Sequence, residues 1–154
     1  MSVISNSRTL HRLIYASVVS IPAEDLDHQV AAIIRASIRN NRECAVTGLL
    51  LVHQGWFIQA LEGPAKAVME RYGRIVEDKR HSGAKVLSAG PANEREFADW
   101  NMCARKMSAA DDAILDALSL RTAFEPAGLT GPAALRLLKA VRGIQDRTQI
   151  SAMA

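Results

Sequence analysis

The segment Ala45-Val46-Thr47-Gly48-Leu49-Leu50-Leu51-Val52, followed by His53-Gln54-Gly55 and then by Trp56-Phe57-Ile58-Gln59-Ala60-Leu61, decides the fold. Two apolar runs of strand length are joined by a short polar link that carries glycine, the residue a tight turn needs where the backbone goes left-handed. The pattern predicts a β-hairpin over Ala45–Val52 and Trp56–Leu61. Alternation puts Gln59 on the same face as Phe57 and Leu61, so one amide sits in an otherwise apolar strand.

Working outward, His11–Ser20 is rich in β-branched residues and is stopped by Pro22, which suits a strand with Leu13, Tyr15 and Ser17 on one face. After Pro22, Leu26, Val30, Ile33 and Ile34 recur at helical spacing. Glu24, Asp25 and Asp27 lie in the first turn, where the helix dipole favours acids, and the helix is expected to run to about Asn40. Downstream of the hairpin, Gly63-Pro64 opens a second helix with Val68, Tyr72 and Ile75 on one side, expected to finish near His81. Lys85–Ala89 and Trp100–Met107 complete the strands, a pair able to close as a second antiparallel hairpin around Pro91 and Glu94–Glu96.

The order βαββαββ, with both helices on one side of a sheet, predicts a ferredoxin-like α+β sandwich that leaves the other sheet face bare. Two further helices are expected in the tail. One starts at a capping box of Ser108 and Asp111 and carries Ile114, Leu115, Leu118 and Phe124. The other starts near Thr130–Pro132 and carries Leu135, Leu138, Val141 and Ile144, with Gly128 and Gly131 marking the turn between them. Their apolar stripes are expected to cover the bare face. The division is thus an N-terminal segment 1–10, a domain over 11–107 and a helical extension over 108–154 that packs on the sheet.

The chain has 154 residues, of which 49% are hydrophobic, enough for one core, and a net charge of +3 spread along it. That charge does not argue for specific nucleic-acid binding. Charged and polar side chains interrupt every apolar run, so no membrane span is expected. The start lacks the features of a signal peptide, and the cytoplasm is the expected location. Cys44 and Cys103 lack metal-type spacing and are expected to be free thiols, and no metal site is expected.

Several residues admit two readings. Gln59 is either a satisfied structural amide or a pivot, because its side chain carries an acceptor and a donor that rotation can exchange between neighbours. Tyr15 is either a core aromatic or a redox partner. Ser37, Asn40 and Asn41 cluster at the end of the first helix, as a cap or as amides for the imide edge of a ring. Arg74, Asp78, Arg80 and His81 are either a solvated helix end or contacts for a phosphate or carbonyl. Trp100 and Met102, two apart on the last strand, face the same way. There is no glycine-rich phosphate loop, zinc spacing or nucleophile elbow, so the residues alone support a binding cleft and name no chemistry.

From about His11 to Met107, roughly two thirds of the chain, the sequence resembles the BLUF family, sensors of blue light using FAD. The resemblance rests on Leu13-Ile14-Tyr15-Ala16-Ser17, on Asn40-Asn41 followed by Thr47-Gly48-Leu49-Leu50, and on Phe57-Ile58-Gln59-Ala60-Leu61-Glu62-Gly63. Asp78-Lys79-Arg80-His81 and Arg95-Glu96-Phe97-Ala98-Asp99-Trp100-Asn101-Met102 extend it. It implies non-covalent FAD between the two helices, with Tyr15 and Gln59 beside the ring and Asn41 on its imide edge. Ser37, Asn40, Arg74, Asp78, Arg80 and His81 are implied as further flavin contacts.

The implied mechanism is a light-driven transfer of an electron and a proton from Tyr15, a rearrangement of Gln59, and a signal through Met102, Trp100 and the last strand to the tail helices. A homo-oligomer or a separate effector protein is the implied partner, with no enzymatic activity in the chain itself. Asn101 and Cys103 replace the Ser and Gly that often flank the family's Met, and Ala45 stands where glycine is frequent. Two other readings predict different behaviour: a small acyl-phosphate hydrolase on the same fold, which needs an anion-binding loop, and a cofactor-free interaction module, which is colourless.

Overall fold

A computed structural model describes residues 9–98, 102–107 and 111–144. The strands are β1 Leu10–Val19, β2 Thr47–His53, β3 Trp56–Pro64, β4 His81–Pro91 and β5 Ala104–Lys106. The helices are α1 Leu26–Glu43, α2 Ala65–Ile75, α3 Asp112–Ala117 and α4 Gly131–Ile144. They build a five-stranded sheet in the order β4-β1-β3-β2-β5, the ferredoxin-like α+β fold with additional C-terminal helices.

The hairpin at the centre forms with Leu49 opposite Ala60, Leu50 opposite Gln59 and His53 opposite Trp56. Its link is a two-residue turn in which Gln54 and Gly55 both have positive φ, 47° and 82°. That is the mirror-image turn whose twist matches the flanking strands. Gly48 is needed for a different reason: a Cβ there would lie 2.0 Å from the Ala60 carbonyl oxygen and 3.0 Å from the Met102 methyl.

Several boundaries differ from the sequence expectation. Helix α1 continues past Asn40 to Glu43, and β2 begins at Thr47 because Ala45 takes a left-handed turn (φ 61°) while the amides of Cys44 and Val46 close onto the Asn41 carbonyl. Helix α2 stops at Ile75 rather than near His81; the amides of Val76, Glu77 and Asp78 fold back onto Tyr72, Arg74 and Ile75, and His81 opens β4.

The last two strands do not form a hairpin. β4 pairs antiparallel with β1 on one edge, and β5, only three residues long, pairs parallel with β2 on the other. The connection between them is held across the end of β3 by Glu62, described below. Trp100 and Asn101, expected in the last strand, lie outside the described residues, as does Ser108 of the expected cap. Asp111 stands at the N-cap of α3 but makes no side-chain capping bond to that helix, and Phe124 falls beyond the six-residue helix, where it is nonetheless buried.

Alternation divides the core in two. Leu13, Tyr15, Phe57 and Leu61 pack with Val30, Ile34 and Val68 of α1 and α2 on one face of the sheet. Ile14, Ala16, Leu49, Leu51, Ile58 and Ala60 pack with Leu115, Phe124, Ala134, Leu137, Leu138 and Val141 on the other. The tail helices therefore cover the face that α1 and α2 leave. A 14-residue helix such as α4 is marginal alone, but burying a Leu or Val contributes about 1.5–3 kcal/mol, so Leu137, Leu138 and Val141, all with no exposed surface, suffice to dock it. Among the described residues no helix is long and apolar enough to cross a membrane, and no cluster of His, Cys, Asp or Glu is arranged to hold a metal. Cys44 and Cys103 are free thiols.

Candidate functional site

Tyr15 occupies the middle of β1, opposite Gln59 on β3, and both side chains point toward α1 and α2 because they sit at the same phase of the pleat. Both are buried. The Tyr15 hydroxyl donates to Gln59 Oε1 at 2.5 Å, and Gln59 Nε2 donates to Met102 Sδ at 3.2 Å. One amide thus spans a phenol and a thioether, both ends satisfied. The structure places Met102 inward, 3% exposed, just ahead of β5.

Burial drives the Tyr15 pKa well above the ordinary phenol value, and the neighbouring Tyr72 and Asp78 add to it, so the proton stays on Oη at neutral pH. The Tyr72 ring lies 5.4 Å from that of Tyr15.

Around this pair lies a cleft of about 200 Å³ between α1 and α2. Its floor and inner walls are apolar: Leu50, Phe57, Leu61, Ile33 and Ile75. Its polar lining comes from Ser37, Asn40 and Asn41 of α1 and from Arg74, Asp78, Arg80 and His81 after them in sequence. Every expected flavin contact therefore opens on one cleft, including Asp78, Arg80 and His81, which were expected at the end of α2 and in fact follow it, whereas Arg74 lies in its last turn. Asn41 is 3% exposed, set on the cleft wall by its position in the last turn of α1. Trp100, the remaining residue of the expected switch, lies outside the described residues.

Three members of the set, Asp78, Arg80 and His81, are already committed to protein partners. The Arg80 guanidinium grips Asp78, Nη2 to Oδ2 at 2.6 Å and Nε to Oδ1 at 2.9 Å, and the Arg80 amide donates to the same carboxylate. This hydrogen bonding holds the Asp78 carboxyl below its usual pKa and raises that of Arg80. His81 Nε2 donates to the Ile75 carbonyl at 2.6 Å, which leaves Nδ1 to accept from the Ser17 hydroxyl at 2.7 Å in the neutral ring. These bonds tie the start of β4 to the end of α2 and close that side of the cleft.

Sequence reasoning missed Arg71, which lines the cleft, and Glu62. Glu62 has no exposed surface and faces away from the cleft, at the phase of Ile58 and Ala60. Its carboxylate accepts from Arg12 Nε at 2.7 Å and from the amides of Glu96 and Phe97 at 2.9 and 2.8 Å. Arg95 adds bonds to Thr47 Oγ1, the Glu62 carbonyl and the Ala45 carbonyl. The available signal was alternation: Glu62 falls on an apolar face, where a carboxylate must be paired.

The cleft fits a flat heteroaromatic ring with imide and carbonyl edges. Apolar walls suit its faces, amides supply matched donors and acceptors, and arginines line the mouth where a phosphate chain would leave. The comparisons agree. The family model for BLUF, sensors of blue-light using FAD, matches residues 10–103. Photoactivated adenylate cyclase subunit beta from Euglena gracilis is 36% identical over 114 residues, 72% of this chain and 13% of that protein. Its counterpart from Euglena longa is 35% identical over the same length, so the chain spans only 13% of these relatives. Among solved structures, BlsA in its photo-activated state matches with a TM-score of 0.79 and 25% identity, covering 86% of this chain and 94% of that one. BlrB, a BLUF protein in its dark state, matches with a TM-score of 0.70 and 28% identity over 88% of this chain and 96% of that one.

Proposed function

The chain belongs to the BLUF family, blue-light sensors whose cofactor is FAD, and from that premise we propose that Tyr15, Gln59 and Met102 form its light-driven switch. The observation that carries the reading is the pair of bonds made by one amide, Tyr15 Oη to Gln59 Oε1 at 2.5 Å and Gln59 Nε2 to Met102 Sδ at 3.2 Å. When bound, FAD supplies a blue-absorbing ring that becomes a strong oxidant on excitation.

Tyr15 gives up an electron and its Oη proton, the proton leaving along the bond to Gln59 Oε1, and takes both back before the cycle ends. No net oxidation results. While the phenol is altered, the bond that orients Gln59 is lost, and the amide turns or changes tautomer so that its donor and acceptor sites are redistributed. The new arrangement withdraws the bond from Met102 and shifts the segment that carries it. Asn41 would hold the ring's imide edge, and Ser37, Asn40, Arg74, Asp78, Arg80 and His81 would shape the remaining contacts. The apolar floor keeps water from the Tyr15–Gln59 bond, where the low dielectric strengthens it.

The response leaves through the Met102 segment, the last strand and the C-terminal helices to a second copy or an effector protein. The relatives named as photoactivated adenylate cyclase subunits support an output beyond the sensor fold, although the match takes in only a small part of them.

The test is the visible spectrum of purified, FAD-loaded protein in the dark and after blue light. A reversible small red shift is expected, retained in no part by Gln59→Leu, which keeps bulk and FAD but lacks the amide. A normal shift in Gln59→Leu overturns the assignment.

A further inference from the structure

The segment ahead of Met102 is held from both sides of the molecule. From the sheet, the Glu62 carboxylate accepts the amides of Glu96 and Phe97. From the tail, Arg142 of α4 donates to the Glu96 carbonyl, its Nη1 lies 3.5 Å from Glu96 Oε1, and its guanidinium sits over the Phe97 ring, 5.8 Å from the centroid. Lys139, one turn earlier on the same helix, brings a second cation to 3.6 Å from Glu96 Oε1. Phe97 itself is buried. Among the described residues, Glu96 and Phe97 thus form a short stretch where β3, the Met102-bearing connection and α4 meet through polar bonds.

We propose that Arg142 is the residue through which α4 reads the state of the Met102 segment, a latch closed in the dark and loosened by light. The proposal rests on the photoswitch reading above and names its route. Gln59 and Glu62 lie on the same strand and on opposite faces, so a change at Gln59 and Met102 strains the connection that Glu62 pins. The bond most exposed to that strain is the one made from outside the sheet. Arg142 bonds a backbone carbonyl of the connection, which moves whenever the connection moves, whereas the packing of Leu137 and Leu138 on the sheet does not depend on it. A charge-assisted bond from a partly exposed arginine lies at the low end of a typical coupling between two sites, on the order of 5-fold in an equilibrium.

The experiment is hydrogen exchange on the full FAD-loaded chain, in the dark and under blue light, for wild type, Arg142→Met and Arg142→Lys, with absorption recorded on the same samples. In wild type, light is expected to lower the protection of amides in 131–144. In Arg142→Met that protection should already be low in the dark and should not respond to light, although the red shift persists and its dark recovery slows on the order of 5-fold. Arg142→Lys should restore part of the light response. Glu96→Gln, which removes both ion pairs and keeps the carbonyl, should retain a reduced response and serves if Arg142→Met does not fold. An α4 that responds to light in Arg142→Met as in wild type overturns the latch. So does a wild type whose spectrum shifts while α4 stays unchanged. Absence of the red shift in wild type instead strikes the photoswitch reading, and the spectrum tells the two failures apart.

Discussion

A phenol buried beside an amide oxygen holds its proton more tightly than one in water, and the pH response of the molecule follows from that. The Tyr15 pKa is raised above 10.0, first by burial and then by Tyr72 and Asp78. A group whose folded pKa is raised contributes its full stability below the unfolded value and loses it as pH climbs beyond it. The red shift should therefore survive unchanged to about pH 10, the unperturbed phenol value, while the folded state weakens above that pH as unfolded tyrosine ionises. Absorption and thermal unfolding across pH 7–11 check both halves; loss of the red shift near pH 8 in a still-folded protein would contradict a protonated Tyr15. At this scale Tyr15 and Gln59 were legible because a polar side chain interrupts an apolar strand. Which of two roles each plays was not, since alternation fixes the face and not the partner. The inward Met102 and the paired Glu62 depend on contacts more than thirty residues distant in sequence, which no local pattern carries.

Among the elements, the β2–β3 hairpin was the most legible, because apolar alternation and its turn glycine agree. The close approach of the two strands at Gly48 bears on the proposed switch. In Gly48→Ala the new methyl must displace the Ala60 carbonyl and crowd the Met102 methyl, which should lower stability by about 2–3 kcal/mol and disturb the light response, read by urea unfolding and by the spectrum. Sequence order does not carry sheet order: β4 and β5, consecutive in the chain, take opposite edges.

The end of β2 also anchors the tail. The His53 ring meets Phe124 edge-on at 4.7 Å, and its Nε2 is buried with no hydrogen-bond partner among the described residues. Burial lowers the His53 pKa, an effect only partly opposed by Asp111 and Asp112. A depressed pKa gives stability that is present above the unfolded value and lost as pH falls through the folded one. Acidification below about pH 6.5 should therefore loosen the α3–α4 connection. Hydrogen exchange in 112–128 at pH 7.5 and 5.5 tests this, and His53→Gln should flatten the difference.

At the scale of the whole molecule the sheet has two covered faces, one under α1 and α2 and the other under the tail. The layered α+β plan was legible from element order, and the covering role of the tail from its apolar stripes; strand order and parallel pairing needed the tertiary structure. Leu138 has no exposed surface and belongs to the core on the tail side. Leu138→Ala should cost about 2–5 kcal/mol, yet leave the light-induced red shift intact, because the cavity opens on the face away from Tyr15 and Gln59. Thermal unfolding and absorption on the same sample separate the two, and a lost red shift in folded Leu138→Ala would show that the faces are not independent.

The odd spacing of Gln59 and Glu62 along one strand makes β3 a partition with a different task on each side. If the proposed switch holds, colour is tuned in one room and linkage in the other, with a single strand as their common wall. A designer can therefore refit the tail side with another helix, keeping Glu62 and the connection it pins, without repainting the side that sees the light.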